Sequence, residues 1–271
     1  MLGGLVLVLG LATWLYVANQ KTIQVVDSEN TQLNTVANNS AASPNPPAGV
    51  VSYKTFTANE FKQLYLSVGY PNTQLIAEAP EITGNVAADE RIRTIAEKRG
   101  YKLKSIPVAS IAKTEEVGLE GDDLLQPLAL QAWQELKTSA KAAGMPLRLT
   151  SAYRNPAYQR DLFVQRLLAK GASVARIAAG ENDGAVEGTL LVTAPPGYSR
   201  HHTGYTIDMW CDDGSTQFIA SRCFAWLKTD NYLNAKKFGW IPSYPEGADL
   251  QGPEPEPWEY VWVGKNALIK Q

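Results

Sequence analysis

The chain has 271 residues, with 25 Lys and Arg against 27 Asp and Glu, so its formal net charge is -2. This balance provides no basic surface for a polyanion, which excludes nucleic acid as an expected partner. A hydrophobic fraction of 45% and only two cysteines are typical of a globular protein long enough to bury one substantial core. The sequence carries no signal for an oligomeric state.

The N-terminal residues differ in composition from the rest of the chain. Residues 2–18 carry no charge, and a helix of that length, at about 1.5 Å per residue, nearly crosses the hydrocarbon core of a bilayer. No basic residue precedes the run, and Tyr16 stands where a signal peptidase requires a small residue. An uncleaved transmembrane anchor over residues 1–20 is therefore favoured over a cleaved signal. Lys21 follows the run and by itself favours a cytoplasmic location for the rest of the chain.

Residues 21–50 are predicted to form a flexible linker. Within them, residues 28–47 are rich in Asn, Ser, Thr and Pro and are nearly free of large apolar side chains. Such a stretch cannot bury enough apolar surface to offset the entropy lost on ordering. The folded domain is therefore expected to span residues 51–271.

Hydrophobic spacing and capping residues predict several elements in this domain. Residues 89–99 are helical in pattern, and their charges predict a solvated face. Apolar residues at helical spacing between Pro127 and Gly144 predict an amphipathic helix. Residues 147–153 alternate between apolar and polar side chains, which predicts a strand. The pair Asn155-Pro156 then begins a further helix that ends at 170–171.

Near the end of the chain, residues 258–263 alternate with a period of two, which predicts a strand. Glu259 shares one face of it with Val261 and Val263. If that face points inward, the carboxylate must be neutralised by a proton, a cation or several hydrogen bonds. Short strands mixed with helices predict an α+β fold, with a small mixed sheet and flanking helices, preceded by a single N-terminal transmembrane helix.

Both histidines of the chain lie in Ser-Arg-His-His-Thr-Gly-Tyr-Thr-Ile-Asp, residues 199–208. His201 and Asp208 offer an imidazole and a carboxylate, and a glycine between them permits a tight turn. Alone, this spacing is as typical of a capped loop as of a metal site. Two further blocks give it context, namely Ser-Ala-Tyr-Arg-Asn-Pro-Ala-Tyr-Gln at 151–159 and Glu-Pro-Trp-Glu-Tyr-Val-Trp-Val-Gly at 256–264.

In this order the three blocks resemble the D-alanyl-D-alanine carboxypeptidase family of the VanY type, the zinc peptidases that trim peptidoglycan stem peptides. The family patterns are S-x-Y-R-x-x-x-x-Q, S-x-H-x-x-G-x-x-x-D and E-P-W-H-x-x-Y-V-G. The resemblance covers roughly the last half of the chain, with its motif-bearing part at 147–264. It implies a metallopeptidase, a D,D-carboxypeptidase that hydrolyses D-Ala-D-Ala-type bonds of peptidoglycan stem peptides, and the uncharged run at the N-terminus predicts that this enzyme is membrane-anchored.

The resemblance also implies a role for each matched residue. His201 and Asp208 would bind the metal ion, and Glu256 would act as general base and then general acid in the hydrolysis. Arg154 would hold the terminal carboxylate of the substrate, because its guanidinium offers donors in a planar fork. The other matched positions expected to bind the substrate are Tyr153, Gln159 and Ser199.

The chain departs from the family pattern at Glu259, where the family has its second histidine ligand. His202 is not expected to replace that ligand, since adjacent side chains on an extended segment point to opposite sides, and it is predicted to be a supporting or surface group. In one interpretation Glu259 itself binds the ion, which is compatible with zinc and shifts the preference toward harder ions such as manganese. In the other, the zinc site is lost and the domain binds peptidoglycan without cutting it.

Cys211 and Cys223 follow shortly after Asp208. In an exported domain such a pair favours a disulfide that braces the ligand-bearing segment, whereas in the cytoplasm two buried thiols are the ordinary outcome. Because peptidoglycan lies outside the cytoplasmic membrane, the resemblance implies an extracytoplasmic catalytic domain, and we give this precedence over the signal of Lys21. Two alternatives stay open here: whether the pair is bridged, and whether the bond cut is terminal or part of a cross-link.

Overall fold

The computed structural model describes residues 51–118 and 121–270. The transmembrane helix predicted at 1–20 and the linker predicted at 21–50 lie outside these residues. Within the described ranges, no helix is long and apolar enough to cross a bilayer. Helices and short antiparallel strands alternate along the described chain, which confirms the α+β class.

The described elements are seven helices, eight strands and three short 3₁₀ turns. The helices are α1 (Ala58–Ser67), α2 (Val86–Lys98), α3 (Pro127–Ala142), α4 (Pro156–Ala169), α5 (Val174–Ala178), α6 (Asp183–Leu190) and α7 (Arg222–Lys236). The strands are β1 (Thr73–Leu75), β2 (Ser105–Pro107), β3 (Ala112–Gly118), β4 (Gly121–Leu125), β5 (Leu147–Ser151), β6 (Thr206–Cys211), β7 (Trp240–Tyr244) and β8 (Glu256–Trp262). The 3₁₀ turns are Arg200–Thr203, Phe218–Ala220 and Lys265–Ala267.

The central sheet has the strand order β5-β6-β8-β7, and each neighbouring pair is antiparallel. The prediction of a mixed sheet is therefore wrong. The chain reverses direction between β7 and β8, and β8 lies between β7 and β6, antiparallel to both. No connection in this sheet is therefore the crossover that a parallel pair requires. The remaining strands form two separate antiparallel pairs, β1 with β2 and β3 with β4.

The helices and the strand predicted around this sheet are confirmed. Helix α3 has a proline in its first turn and buries Trp133 and Leu136 in the main core, beside β5 and β6. Strand β5 ends at Ser151, two residues earlier than predicted. Asn155 caps α4, since its side-chain oxygen accepts a hydrogen bond from the backbone N–H of Tyr158 at 2.8 Å.

The solvated face predicted for residues 89–99 is wrong at its first residue. Asp89 is only 3% exposed, and its carboxylate accepts hydrogen bonds from the backbone N–H groups of Ile82 at 2.9 Å and Thr83 at 2.8 Å. These bonds satisfy a charged group that would otherwise be costly to bury. Asp89 thereby fastens the preceding loop to α2, a contact that the charge pattern of the helix does not reveal.

Helix α7 is interrupted by a left-handed turn. Asp230, Asn231 and Tyr232 have φ angles of 48°, 58° and 65°, a conformation that costs a non-glycine residue on the order of 1–3 kcal/mol. The Asn231 side chain offsets part of this cost, since it accepts a hydrogen bond from the Phe56 N–H at 2.9 Å and donates one to the Phe56 carbonyl at 2.8 Å. The turn, which we call the left-handed turn of α7, therefore holds the start of the described chain in place.

Cys211, the last residue of β6, and Cys223, in the first turn of α7, form a disulfide. The structure thus chooses between the two alternatives that the sequence left open. The bond attaches the end of the strand that carries Asp208 to the helix packed beside it. Both cysteines also belong to the main hydrophobic core.

We expect the double variant Cys211→Ala/Cys223→Ala to lose about 3 kcal/mol of the free energy of unfolding, because the bond constrains a short loop in the unfolded chain. Urea unfolding monitored by circular dichroism measures this loss. The control is the wild type in the presence of a reductant, which should lose a similar amount. An unchanged unfolding midpoint in the oxidised comparison would show that the bond contributes nothing to stability.

Candidate metal and substrate site

Three segments bring the predicted metal ligands together. His201 lies in the 3₁₀ turn before β6, Asp208 lies in β6, and Glu259 lies in β8. Strands β6 and β8 are neighbours, and Asp208 is the register partner of Glu259. The two side chains therefore lie opposite each other on the same face of the sheet. Gly204 ends the turn with a φ of 73°, a left-handed conformation that lets the chain reverse from His201 into β6.

The face of β8 that carries Glu259 points inward, which is the condition under which its carboxylate needs a neutralising partner. Glu259 is 3% exposed, and Val261 and Val263 on the same face are buried. The opposite face of β8 is buried as well, since Tyr260 lies fully buried in the main core. Strand β8 is an interior strand with hydrophobic clusters on both sides, and only Trp258, near its start, is substantially exposed, at 38%.

The distances within the cluster match the size of a single metal ion. His201 Nε2 lies 3.2 Å from Glu259 Oε2 and 3.4 Å from Asp208 Oδ1. One ligand atom from each of the three residues lies within 4.8 Å of the other two. Tetrahedral zinc ligands, each about 2.0–2.2 Å from the ion, lie about 3.3–3.6 Å from one another. The cluster therefore needs only a small adjustment to enclose an ion.

Hydrogen bonding in the cluster also fits a cation. Among the described residues, Asp208 Oδ1 and Glu259 Oε1 are buried without a hydrogen-bond partner, and such oxygens are costly unless a charge or a donor satisfies them. His201 Nδ1 lies 2.5 Å from the carbonyl oxygen of Ala152. That contact favours the proton on Nδ1 and directs the Nε2 lone pair toward the carboxylates, as in histidines that bind metals. His201, Asp208 and Glu259 could thus hold a divalent ion.

The charges of the cluster act strongly on His201. Burial and the Arg154 guanidinium lower the pKa of its imidazole, but Asp208 and Glu259 outweigh them and raise the pKa to about 9. Burial opposes ionisation of Glu259, yet its hydrogen bond with His201 holds the pKa of that carboxyl below the usual value. A metal ion and a proton therefore compete for the same nitrogen, so metal affinity is expected to fall as the pH falls.

Glu256 lies at the start of β8 beside this cluster and is partly buried. Its burial, together with the negative charges of Glu259 and Asp208, raises the pKa of Glu256 well above the usual range of a carboxyl group. A carboxyl group with a raised pKa can accept and return a proton near neutral pH. The environment of Glu256 is thus the one that a general base and acid requires.

A cavity of about 120 Å³, here called the small cavity, opens beside the cluster. Its walls include most of the predicted site residues, which are Arg154, Gln159, Ser199, Asp208, Glu256 and Glu259. Tyr153 was also predicted to bind the substrate, but it does not belong to these walls, and its backbone N–H bonds the carbonyl of Leu124 at 2.9 Å.

The walls of the small cavity also contain residues that the motifs do not predict, among them a hydrogen-bonded pair from two segments. Arg166 and Thr193 line the cavity, and the Arg166 guanidinium donates to the Thr193 hydroxyl and to the Val192 carbonyl, the latter at 3.0 Å. Arg166 lies on α4, seven residues after Gln159, and therefore on the same face of this helix. This spacing is the signal that the sequence offers, and an arginine on the solvated face of a helix gives the same signal.

Arg154 is held in the wall of the small cavity by two neighbours. Its Nη1 donates to Gln159 Oε1 at 3.1 Å, and its Nη2 lies 3.5 Å from Asp208 Oδ2. Gln159 is itself fixed, because its Nε2 donates to the carbonyl of Ala194 at 2.7 Å. The guanidinium side chain is 13% exposed, so it presents a positive charge to the cavity from an oriented position.

His202 is a supporting group, as one of the two predicted outcomes has it, but the extended segment on which that prediction was based is absent from residues 200–203. Residues 200–203 form a 3₁₀ turn instead of an extended segment, and His202 is fully buried instead of lying at the surface. Its Nε2 accepts a hydrogen bond from the Gly197 N–H at 2.9 Å, and its Nδ1 lies 2.6 Å from the Arg154 carbonyl. His202 therefore supports the backbone of Arg154 and stands apart from the metal cluster.

We expect His202 to destabilise the fold at acidic pH. Burial lowers the pKa of His202 to about 4, whereas a histidine in the unfolded chain has a pKa of about 6.5. Between these values the unfolded chain binds a proton that the native side chain does not, so stability falls as the pH decreases through this window, by roughly 3 kcal/mol.

Urea unfolding of the wild type and of His202→Gln at pH 7 and at pH 4.5 measures this effect. Glutamine keeps one donor and one acceptor but does not titrate, so the variant should lose less stability than the wild type between the two pH values. The same loss in both proteins would exclude His202 as the titrating group.

Comparison with known proteins identifies the family. The family model described as VanY, D-alanyl-D-alanine carboxypeptidase, matches residues 122–265, just over half of the chain. This chain belongs to the VanY family. The VanY match encloses the cluster and the residues around it, from Arg154 to Glu259.

A D-alanyl-D-alanine carboxypeptidase of Enterococcus faecalis (strain ATCC 700802 / V583) is 29% identical over 141 residues, which are 51% of this chain and 47% of that protein. The chain thus matches about half the length of this relative.

Several solved structures are similar to the chain at lower identity. A vancomycin resistance D,D-pentapeptidase VanY mutant from a VanB-type cassette, in complex with Zn(II), has a TM-score of 0.44 at 24% identity, covering 59% of this chain and 84% of that chain. VanYB in complex with D-alanine-D-alanine has a TM-score of 0.42 at 23% identity, with coverages of 59% and 81%. The LdcB LD-carboxypeptidase has a TM-score of 0.43 at 24% identity, with coverages of 60% and 68%.

Proposed function

We propose that residues 51–271 form a metal-dependent peptidase that hydrolyses D-Ala-D-Ala-type bonds at the end of peptidoglycan stem peptides. The observation that carries this proposal is the cluster of His201, Asp208 and Glu259, whose ligand atoms lie within 4.8 Å of one another. Membership in the VanY family supports the same reaction. The oriented guanidinium of Arg154 favours a substrate with a free terminal carboxylate, and hence a carboxypeptidase over an endopeptidase.

The chain supplies the remaining groups of such a reaction. A divalent ion held by the cluster would polarise the scissile carbonyl and make water more acidic. Glu256 accepts a proton from the water that attacks the carbonyl carbon and returns it to the amine as the C–N bond breaks. Arg154 holds the terminal carboxylate, while Gln159 and Ser199 offer hydrogen bonds to the peptide from the wall of the small cavity.

We propose that Glu259 binds the ion in place of the histidine found in the family pattern. Two carboxylates and one imidazole would then neutralise the charge of a divalent ion within the protein. Such an oxygen-rich set is compatible with zinc and suits harder ions such as manganese better than a set with two histidines does. The buried and unpartnered Oε1 atom of Glu259 supports this role.

The alternative function is a domain that binds peptidoglycan without cutting it. The departure from the family at Glu259 is the observation that favours it. Against it stand the raised pKa of Glu256 and the unpartnered oxygens of the cluster, which a pure binding site does not require.

We also propose that the domain lies on the extracytoplasmic side of the membrane, anchored by residues 1–20 through a linker at residues 21–50. The uncharged run at the N-terminus supports an anchor. The disulfide between Cys211 and Cys223 supports the location, because such bonds persist in oxidising compartments.

Hydrolysis of a peptide that ends in D-Ala-D-Ala tests the proposed function directly. The full chain is incubated with the peptide and zinc or manganese, and released alanine is measured before and after treatment with a chelator. We expect release that depends on the metal and returns when the metal is restored. If no alanine is released with either metal and no metal is retained after dialysis, while sacculi still bind, the non-catalytic alternative is correct.

The Arg154→Ala variant is expected to lose at least about 30-fold in kcat/KM on this peptide, because truncating one partner of a hydrogen-bonded charge pair costs about 2 kcal/mol or more. A peptide with an amidated C-terminus provides the matched control, since it lacks the carboxylate. The wild type should discriminate against the amide and the variant should not. Equal discrimination by both proteins would assign the carboxylate to another residue.

A further inference from the structure

Arg200 is a buried cation that the proposed reaction does not use. It directly precedes the predicted ligand His201, and it is only 3% exposed. Neither Arg200 nor its hydrogen-bond partner Ser243 belongs to the walls of the small cavity, so Arg200 does not contact a substrate bound there. Its backbone is fixed, because its carbonyl oxygen accepts hydrogen bonds from the hydroxyl groups of Thr203 at 3.0 Å and Thr206 at 3.1 Å.

Two aromatic rings hold the Arg200 guanidinium between them. Its central carbon lies 3.8 Å from the centroid of the Tyr65 ring and 3.9 Å from the centroid of the Tyr244 ring. Arginine suits such a position, since its planar guanidinium stacks on aromatic faces and is more weakly hydrated than an ammonium group. Tyr65 comes from α1, which precedes residues 122–265, the part that matches the family model. The segment before the matched part therefore helps to keep this cation buried.

Ser243, in β7, connects Arg200 to Glu259. Arg200 Nη1 donates to the Ser243 carbonyl and, at 3.1 Å, to the Ser243 hydroxyl oxygen. Because arginine only donates, the proton of the Ser243 hydroxyl remains available to the Glu259 carboxylate. Ser243 lies where the register between β7 and β8 shifts, opposite the part of β8 that contains Glu259. Burial raises the pKa of Glu259, but hydrogen bonds from His201 and Ser243 are among the interactions that hold this pKa below its usual value.

The positive charge of Arg200 offsets the charge that Glu259 adds to the cluster. A histidine ligand is neutral, so the glutamate in its place brings one additional buried negative charge, which is costly without a counter-charge. Burial lowers the pKa of Arg200, but neighbouring acidic groups, the Glu259 carboxylate among them, raise it above its ordinary value. Arg200 Nε is buried without a hydrogen-bond partner among the described residues. Hydrogen bonding alone therefore does not account for the burial of this cation.

We propose that Arg200 is a positioning residue that supplies the counter-charge of Glu259 and so allows a carboxylate to stand where the family pattern has a histidine ligand. Through the Ser243 hydroxyl it keeps the Glu259 carboxylate ionised and in place before an ion binds. Glu259 and Arg200 together then carry the same total charge as one neutral histidine. The role of Glu259 as a ligand in this proposal rests on the proposed function.

A double-mutant cycle on the full chain tests this pairing. Arg200→Met keeps an apolar side chain between the two rings but removes the charge, and Glu259→His removes the charge of its partner. Urea unfolding of the four proteins, each treated with a chelator, gives the ratio of folded to unfolded protein. We expect Arg200→Met to lower this ratio about tenfold more in the natural background than in the Glu259→His background, because only the former leaves a buried carboxylate without its counter-charge.

Two further variants separate the charge of Arg200 from its packing. Arg200→Lys keeps the charge and should restore most of the loss in the natural background. Arg148→Met is the matched control, because Arg148 forms its ion pair with Asp212, at 2.8 Å, and should change the ratio equally in both backgrounds. Equal losses from Arg200→Met in both backgrounds, or an Arg200→Lys variant no more stable than Arg200→Met, would overturn the proposal.

Ser243→Ala provides the same comparison with a smaller change in volume. It removes the hydroxyl that connects the two charges, so it should destabilise the protein more in the natural background than in the Glu259→His background. If Arg200→Met folds in neither background, this comparison decides. An equal loss from Ser243→Ala in both backgrounds would then assign Arg200 to packing alone.

Unfolding in the presence of zinc separates this proposal from the proposed function, since an ion that binds the native protein raises its unfolding midpoint. If Arg200 and Glu259 are coupled in the chelator-treated proteins but zinc shifts no midpoint and no alanine is released, the pairing holds and the metal assignment fails. If zinc stabilises the wild type and alanine is released while the two residues show no coupling, the metal site holds and the pairing fails.

Discussion

The Glu256→Gln variant is expected to lose about 10²- to 10⁴-fold in kcat, the usual contribution of a positioned general base or acid. Glutamine has nearly the same shape as glutamate but cannot take a proton from water or return one to the amine. Burial and the neighbouring carboxylates raise the pKa of Glu256, so removing this carboxyl group also relieves repulsion within the cluster. The variant should therefore be as stable as the wild type or more so.

Three measurements on Glu256→Gln separate catalysis from binding. Released alanine gives kcat, elemental analysis after dialysis gives the metal content, and calorimetry with an uncleaved peptide gives the affinity. Only kcat is expected to fall. Glu254→Gln provides the control, because this exposed carboxylate lies two residues away and forms a surface ion pair with Arg99, at 3.7 Å. A Glu256→Gln enzyme that keeps a tenth or more of the wild-type kcat would exclude Glu256 as the base.

The second large effect is expected at Glu259. Glu259→Ala removes one of three proposed ligands, and we expect metal affinity to fall by at least about 10- to 100-fold, the range found when even a group that only supports a ligand is removed. Activity should fall with it. Glu259→His restores the ligand of the family pattern and should raise zinc retention relative to manganese, because imidazole is the softer ligand.

Dialysis of the wild type and both variants against equal concentrations of zinc and manganese, followed by elemental analysis, measures these changes independently of turnover. Glu259→Gln is the control for shape, since it keeps a similar volume without the charge. If Glu259→Ala retains as much metal as the wild type, Glu259 is not a ligand. If Glu259→His raises zinc content and activity together, the natural residue weakens a zinc site that the fold still provides.

The sequence predicted the local elements around the site from patterns that span only a few residues. The proline and glycine at the ends of α3, the Asn155 cap of α4 and the period of two in β8 depend on near neighbours, and the structure confirms them. The motif order predicted the site residues by resemblance. The structure then brings His201, Asp208 and Glu259 together, although His201 and Glu259 are 58 residues apart in sequence.

The tertiary structure alone decided features that depend on contacts between distant segments. His202 is fully buried where its Nδ1 lies 2.6 Å from the carbonyl of Arg154, 48 residues earlier in the chain, so the sequence predicted its supporting role but not its burial. The left-handed turn of α7 is joined through the Asn231 side chain to Phe56, 175 residues earlier in the chain. A periodic pattern in the sequence shows which side of a helix or strand is apolar. It does not show which other element packs against that side, because the free energy of packing comes from the apolar surface that both elements bury together. The sequence therefore determined the local elements and the family of this protein, whereas packing decided the antiparallel sheet, the disulfide and the walls of the small cavity.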